Sequence, residues 1–109
     1  MQAVIGIDIG TTNTKAIALT KESKVIASSN ISYVHVSQQP GLDEIEPSVI
    51  LNAVVGVLKT ILSEARSKAE ICAVSFSCAM HSLMAVDENG TPLTNIITWA
   101  DLRSAEEAR

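Results

Sequence analysis

The chain has 109 residues, 47% of them apolar, enough for one domain around one core and too few for two. Its net charge is −4 with no basic cluster, and its only aromatics are Trp99, Tyr33 and Phe76. That balance argues against nucleic-acid surfaces and base-stacking grooves and favours a small-molecule ligand. The opening "MQAVIGIDIG" has no basic leader region and is interrupted by Asp8, and no window approaches the roughly 20 continuous apolar residues of a spanning helix. A soluble, cytoplasmic chain without a signal peptide or membrane partner is expected.

Residues 3–9, "AVIGIDI", form a short β-branched apolar run that predicts a buried strand. After a Gly-Thr turn, "TKAIALT" is strand-like again, with small alanines at alternate positions. A third strand is expected from Lys24 to about Val36, joined to the second by the short "KES" connection of a hairpin. These runs make a β-meander. The segment "QQPGLDEIEP", with Pro40, Gly41 and Pro47, reads as a loop. Beyond it Ile50, Leu51, Val54, Val57, Leu58, Ile61, Leu62 and Ala65 recur at helical spacing. Pro47 suits a first-turn position and acids precede it, so one amphipathic helix is predicted from Pro47 to about Lys68, laid across the sheet.

A fourth strand, "EICAVSFSC", follows. Its Cys72 and Cys78 would stand roughly 20 Å apart at ~3.3 Å per residue, and are expected to be unbridged, reduced and buried. "HSLMAVDENGTPL" gives two runs joined at Asn89-Gly90, and "NIITWADLRSAEEAR" a short extended piece leading into a helix start with no room to finish. One domain, cut off at its C-terminal edge, is the expectation.

The chemistry concentrates in "DIGTTNTK", Asp8 to Lys15. A Walker loop would need a second glycine before its lysine and a helix after it, and a dinucleotide fingerprint would need further glycines after Gly10. Neither pattern is present. What remains is a hairpin turn between two strands, with hydroxyl and N–H donors able to face phosphate and a carboxylate set back to hold Mg²⁺ through water.

On these residues, "IGIDIGTTNTKAIALT" resembles the first phosphate motif of the actin, Hsp70 and sugar-kinase superfamily. The implied fold class is α/β and RNase H-like: a β-meander, then a helix and further strands, here a truncated N-terminal domain. The stretch "SFSCAMHSLMAVDENGTPLTNIITWADLRSAEEA" is similar to the FGGY carbohydrate kinases in its Met-His pair, hairpin and Trp-x-Asp-x-Arg segment, and "GLDEIEP" resembles that family's helix entry imperfectly. Within the family the similarity is greatest to gluconate kinases, with xylulose kinases next.

The resemblance implies that residues 1–109 are the N-terminal portion of the first of two kinase domains. The second domain, the adenosine pocket and the general base would lie elsewhere, so this portion alone would be inactive. The implied cofactors are ATP and Mg²⁺, with Asp8 as the metal-associated carboxylate. Gly10, Thr11, Thr12, Asn13 and Lys15 would form the phosphate-binding set, Asn13 and Thr14 also shaping the turn. Met80, His81, Trp99, Asp101 and Arg103 would form the substrate set. His35 matches nothing in the family and is left structural. The implied reaction transfers the ATP γ-phosphoryl group to a sugar or sugar-acid hydroxyl, gluconate to 6-phosphogluconate first, xylulose or another polyol second.

Two other readings stand beside this one. An actin- or Hsp70-like nucleotide-driven binding protein would share the Asp8 hairpin but has no reason to carry the Met-His and Trp-x-Asp-x-Arg features. A stand-alone non-catalytic domain would cap its own C-terminus. The expected partner is a small sugar or sugar acid, with neither nucleic acid nor membrane. Open sheet edges leave a homodimer within expectation.

Overall fold

Alternation along the first strand decides how the sheet is covered. In the computed structural model, which describes all residues Met1–Arg109, β1 (Gln2–Ile9) turns Ala3, Ile5 and Ile7 inward and leaves Gln2, Val4 and Asp8 exposed. β2 (Asn13–Thr20) pairs antiparallel with β1, and β3 (Val25–Ser32) antiparallel with β2, giving the predicted meander. The third strand ends at Ser32 rather than near Val36, because Ser32 already faces Asn13, the first residue of β2. Beyond that pair no strand remains to receive it, and the Tyr33 amide turns back to donate to the Thr12 carbonyl at 3.0 Å.

The helix α1 (Pro47–Ala65) starts at the predicted proline and ends before the predicted Lys68. The Ala65 carbonyl accepts from the amides of both Lys68 and Ala69, and this turn delivers the chain to β5 (Glu70–Cys78), which lies parallel to β1. The sheet order is β3-β2-β1-β5. Ala53, Val57, Ile61 and Ala65, one residue per turn of α1, are buried over Ala16 and Ala18 of β2 and Ala27 of β3. Small side chains on the sheet let the helix backbone come close, so the larger Val57 and Ile61 fill the interface. By length and composition α1, with 19 residues and a mean hydropathy of 1.5, is apolar enough to cross a bilayer, which the sequence reading had not credited. Its buried stripe on the sheet identifies it as a packing helix.

β5 corrects one expectation. Val74 and Phe76 are in register with Ile5 and Ile7, on the helix side, yet are 42% and 57% exposed. The helix packs on β2 and β3 and leaves this edge uncovered. Cys72 and Cys78 are accordingly free and exposed, not buried.

A second, two-stranded sheet pairs a segment read as loop with the expected extended piece: β4 (Glu44–Ile45), inside "QQPGLDEIEP", lies antiparallel to β6 (Ile96–Ile97). The hairpin at Asn89-Gly90 forms as predicted, with Gly90 at φ 80° and the Asp87 carboxylate accepting from the amides of Asn89 and Thr91, both at 2.9 Å. The expected C-terminal helix start is instead a run of turns over residues 103–108.

Candidate functional site

The first part of the site is built by the β1–β2 turn. The Gly10 amide donates to the Asn13 carbonyl at 2.9 Å, and a Cβ on Gly10 would come within 3.1 Å of that same oxygen, so only glycine closes the turn without displacement. The Thr11 and Thr12 amides make no hydrogen bond within the chain, which leaves both free as donors. Asp8 and Lys15 face each other across the two strands, with Ser77 of β5 on the other side of Asp8. Neither charged group forms an ion pair, although they share an open depression of 430 Å³ with Gly6, Ser75 and Ser77. An unpaired carboxylate and ammonium beside free amides suit a ligand carrying both anionic oxygens and a cation. Thr14 differs: it is fully buried and hydrogen-bonded to the Tyr33 hydroxyl, so it fixes the turn.

The second part lies beside β6. His81, Trp99 and Asp101 line a 490 Å³ cleft with Leu83, Thr98 and Ser104. His81 has φ 62°, a left-handed conformation uncommon for a residue with a Cβ, which turns the chain directly after β5. Trp99 is 64% exposed, so it does not cap the core, and its indole N–H donates to Thr11 Oγ1 at 3.4 Å. Met80 lies just outside this cleft and is exposed. Arg103 is engaged with two carboxylates, Asp101 at 2.8 Å and Glu44 at 2.5 Å. Thr12 and Asn13 line neither space.

Between the two parts lies a polar network that the sequence reading missed. His35 bridges the Thr11 carbonyl, through Nε2, and the Asp43 carboxylate, through Nδ1 at 2.8 Å. Asp43 also accepts from the Thr98 hydroxyl, and its amide donates to Asp101 Oδ2 at 2.9 Å. Burial pushes the Asp43 carboxyl up, but hydrogen bonds from Thr98 and His35 outweigh it and hold the group below its ordinary range. Hydrogen bonds from Arg103, then from the Asp43 amide, hold Asp101 down at about 2. Nothing in the local pattern pointed to His35 and Asp43, because their meeting depends on the antiparallel bridge between Val36 and Glu44, as that of Asp43 with Thr98 depends on the pairing of β4 with β6.

The sign of these shifts sets a pH window. A carboxyl depressed on folding contributes stability that is complete above its unfolded value, near 4, and is lost as pH falls through its folded value. The Asp43–Asp101 network is therefore expected to hold down to about pH 4 and to come apart towards pH 2. An acid titration followed by circular dichroism checks this: Asp101→Asn should flatten the pH dependence of stability in that window, and an unchanged slope would contradict it.

Comparison with known proteins matches residues 3–109 to the FGGY family of carbohydrate kinases, N-terminal domain. The chain is 42% identical over 101 residues to the gluconokinase of Bacillus subtilis (strain 168), covering 93% of this chain and 20% of that protein. It is 36% identical over 107 residues to the xylulose kinase of Staphylococcus xylosus, covering 98% of this chain and 22% of that one. The crystal structure of gluconate kinase from Lactobacillus acidophilus superimposes with a TM-score of 0.86 at 32% identity, covering 97% of this chain and 21% of its own. The sugar-kinase fold of the actin and Hsp70 type expected from the opening motif is thus confirmed, and the chain spans about a fifth of the length of the relatives it matches. A Gly-Thr-Thr hairpin after Asp8, a mixed sheet crossed by one helix and a match over nearly every residue lead to one conclusion: this chain belongs to the FGGY family of carbohydrate kinases.

Proposed function

We propose that residues 1–109 are the N-terminal portion of the first domain of a two-domain kinase that transfers the γ-phosphoryl group of ATP to a hydroxyl of a sugar acid, with gluconate as acceptor and 6-phosphogluconate as product. The observation that carries this reading is the unpaired Asp8 carboxylate facing Lys15 across the hairpin, next to the free Thr11 and Thr12 amides. The 42% identity to a gluconokinase supports the acceptor, and the 36% identity to a xylulose kinase keeps that sugar as the second reading.

The residues present fit Mg²⁺ and ATP. No cluster of three metal-ligating side chains exists, so Asp8 would hold Mg²⁺ as a lone protein carboxylate, the remaining positions being left to water and phosphate oxygens. When bound, Mg-ATP supplies the transferable phosphoryl group and neutralises charge on its oxygens. The chain's own part is positioning. The Gly10 turn presents the Thr11 and Thr12 amides and hydroxyls with Asn13 at its end, and Lys15 adds a positive charge from the neighbouring strand. His81 and Asp101 offer polar contacts to a polyol in the cleft, Trp99 an apolar face, with Met80 at its margin. Arg103 braces Asp101 and Glu44. The base that takes the hydroxyl proton and the adenosine pocket belong to the rest of the protein.

The test is ADP release by the full-length protein with Mg-ATP and, separately, gluconate, xylulose, glycerol or no acceptor. Gluconate-dependent turnover is expected. Turnover with xylulose or glycerol instead would replace the acceptor and keep the kinase, while acceptor-independent turnover would favour a nucleotide-driven binding protein.

A further inference from the structure

We infer that His35, held by Asp43, is a positioning residue for the phosphate turn, fixing the Thr11 peptide from behind so that its neighbours' amides face the nucleotide. This rests on the phosphate-binding reading of the hairpin. The carrying observation is that both nitrogens of one ring meet acceptors: Nε2 the Thr11 carbonyl and Nδ1 the Asp43 carboxylate, at 2.8 Å. The Thr11 carbonyl can only accept, so that contact takes a proton on Nε2, while the Asp43 carboxylate holds the ring from its Nδ1 side. Asp43 is itself tethered by the Thr98 hydroxyl and, through its amide, by Asp101.

The geometry gives this arrangement a consequence that packing would not have. The Thr11–Thr12 peptide places its carbonyl opposite its amide, so a donor gripping the carbonyl fixes the plane in which the Thr12 amide points. Thr11 is held at a second point by the Trp99 indole on Oγ1 at 3.4 Å. Both grips come from outside the hairpin: one from the segment after β3, the other from the segment after β6. The phosphate turn is thereby tied to the same residues that line the 490 Å³ cleft.

The experiment is steady-state kinetics of the full-length protein carrying His35→Gln, His35→Asn or His35→Ala, with Asp8→Ala alongside and thermal melting of each. Glutamine can carry an amide N–H to where Nε2 stood, whereas asparagine reaches only as far as Nδ1. Losing this hydrogen bond to the turn is expected to raise the KM for Mg-ATP roughly tenfold in the Ala and Asn variants. In the Gln variant the rise should stay within about threefold, and the acceptor KM should be unchanged in all three. Equal KM values for Mg-ATP in all His35 variants and wild type, with Asp8→Ala impaired, would overturn the inference alone. Equal impairment of Gln and Asn, in step with lowered melting temperatures, would also overturn it by reducing His35 to a packing role. An Asp8→Ala variant as active as wild type would instead remove the phosphate reading on which the inference stands.

Discussion

Replacing Asp8 with alanine in the full-length protein is expected to lower acceptor-dependent ADP release by about 10²-fold or more while leaving the melting temperature within a degree or so of wild type. The two halves of this expectation come from the same fact. Asp8 is exposed, forms no ion pair and has no side-chain hydrogen bond, so the fold gains nothing from it and loses nothing with it. On the proposed reading, the task of this unpartnered charge at the end of a central strand is to meet a ligand. Asp8→Asn sharpens the result: it preserves shape and removes only the charge, so it should be nearly as impaired as alanine if neutralising a cation is the task. Near-normal turnover in both variants would show that the hairpin binds no metal-nucleotide.

Ile61→Ala is expected to destabilise the protein by about 2–5 kcal/mol, a large share of the roughly 5–15 kcal/mol that holds a typical domain together. Ile61 is fully buried where α1 meets the alanines of the sheet, so its truncation removes apolar contacts from the centre of the core. Leu51→Ala is the matched control, since Leu51 belongs to the same helical repeat but is 63% exposed, and its loss should cost about 0.5 kcal/mol or less. Urea titration of the two variants separates them. Similar midpoints would mean that the helix does not lie on the sheet along Ala53, Val57, Ile61 and Ala65.

That contrast also shows where the sequence was informative and where it was not. The alternation of Ala3, Ile5 and Ile7 and the four-residue spacing of Val57, Ile61 and Ala65 are local consequences of strand and helix geometry, so strand β1 and helix α1 could be read directly. The period counted Leu51 as equal to Ile61, although Leu51 stands about 80° round the helix from Ile61 and on nearly the opposite side from buried Ala53, off the face that meets the sheet. The Asp8–Lys15 turn was legible because its residues are contiguous. His35, Asp43 and Thr98 were not: 55 residues separate the last two, and only the β4–β6 pairing brings them together. The burial expected of Cys72 and Cys78 failed for a related reason, since an apolar strand specifies what it can pack against but not whether the helix reaches it.

The position of β5 beside β1 also sets an order of assembly. β1, β2 and β3 pair with neighbours in sequence and α1 packs on the last two, so this unit closes through short loops and can collapse early. β5 must instead return across the whole unit to find the far side of β1. At synthesis rates of about 5–20 residues per second, the backbone groups along that side of β1 therefore wait unpaired for a few seconds after the meander has emerged. For that interval the central strand of the mature sheet is an edge strand, open to pairing with the same segment of another nascent chain.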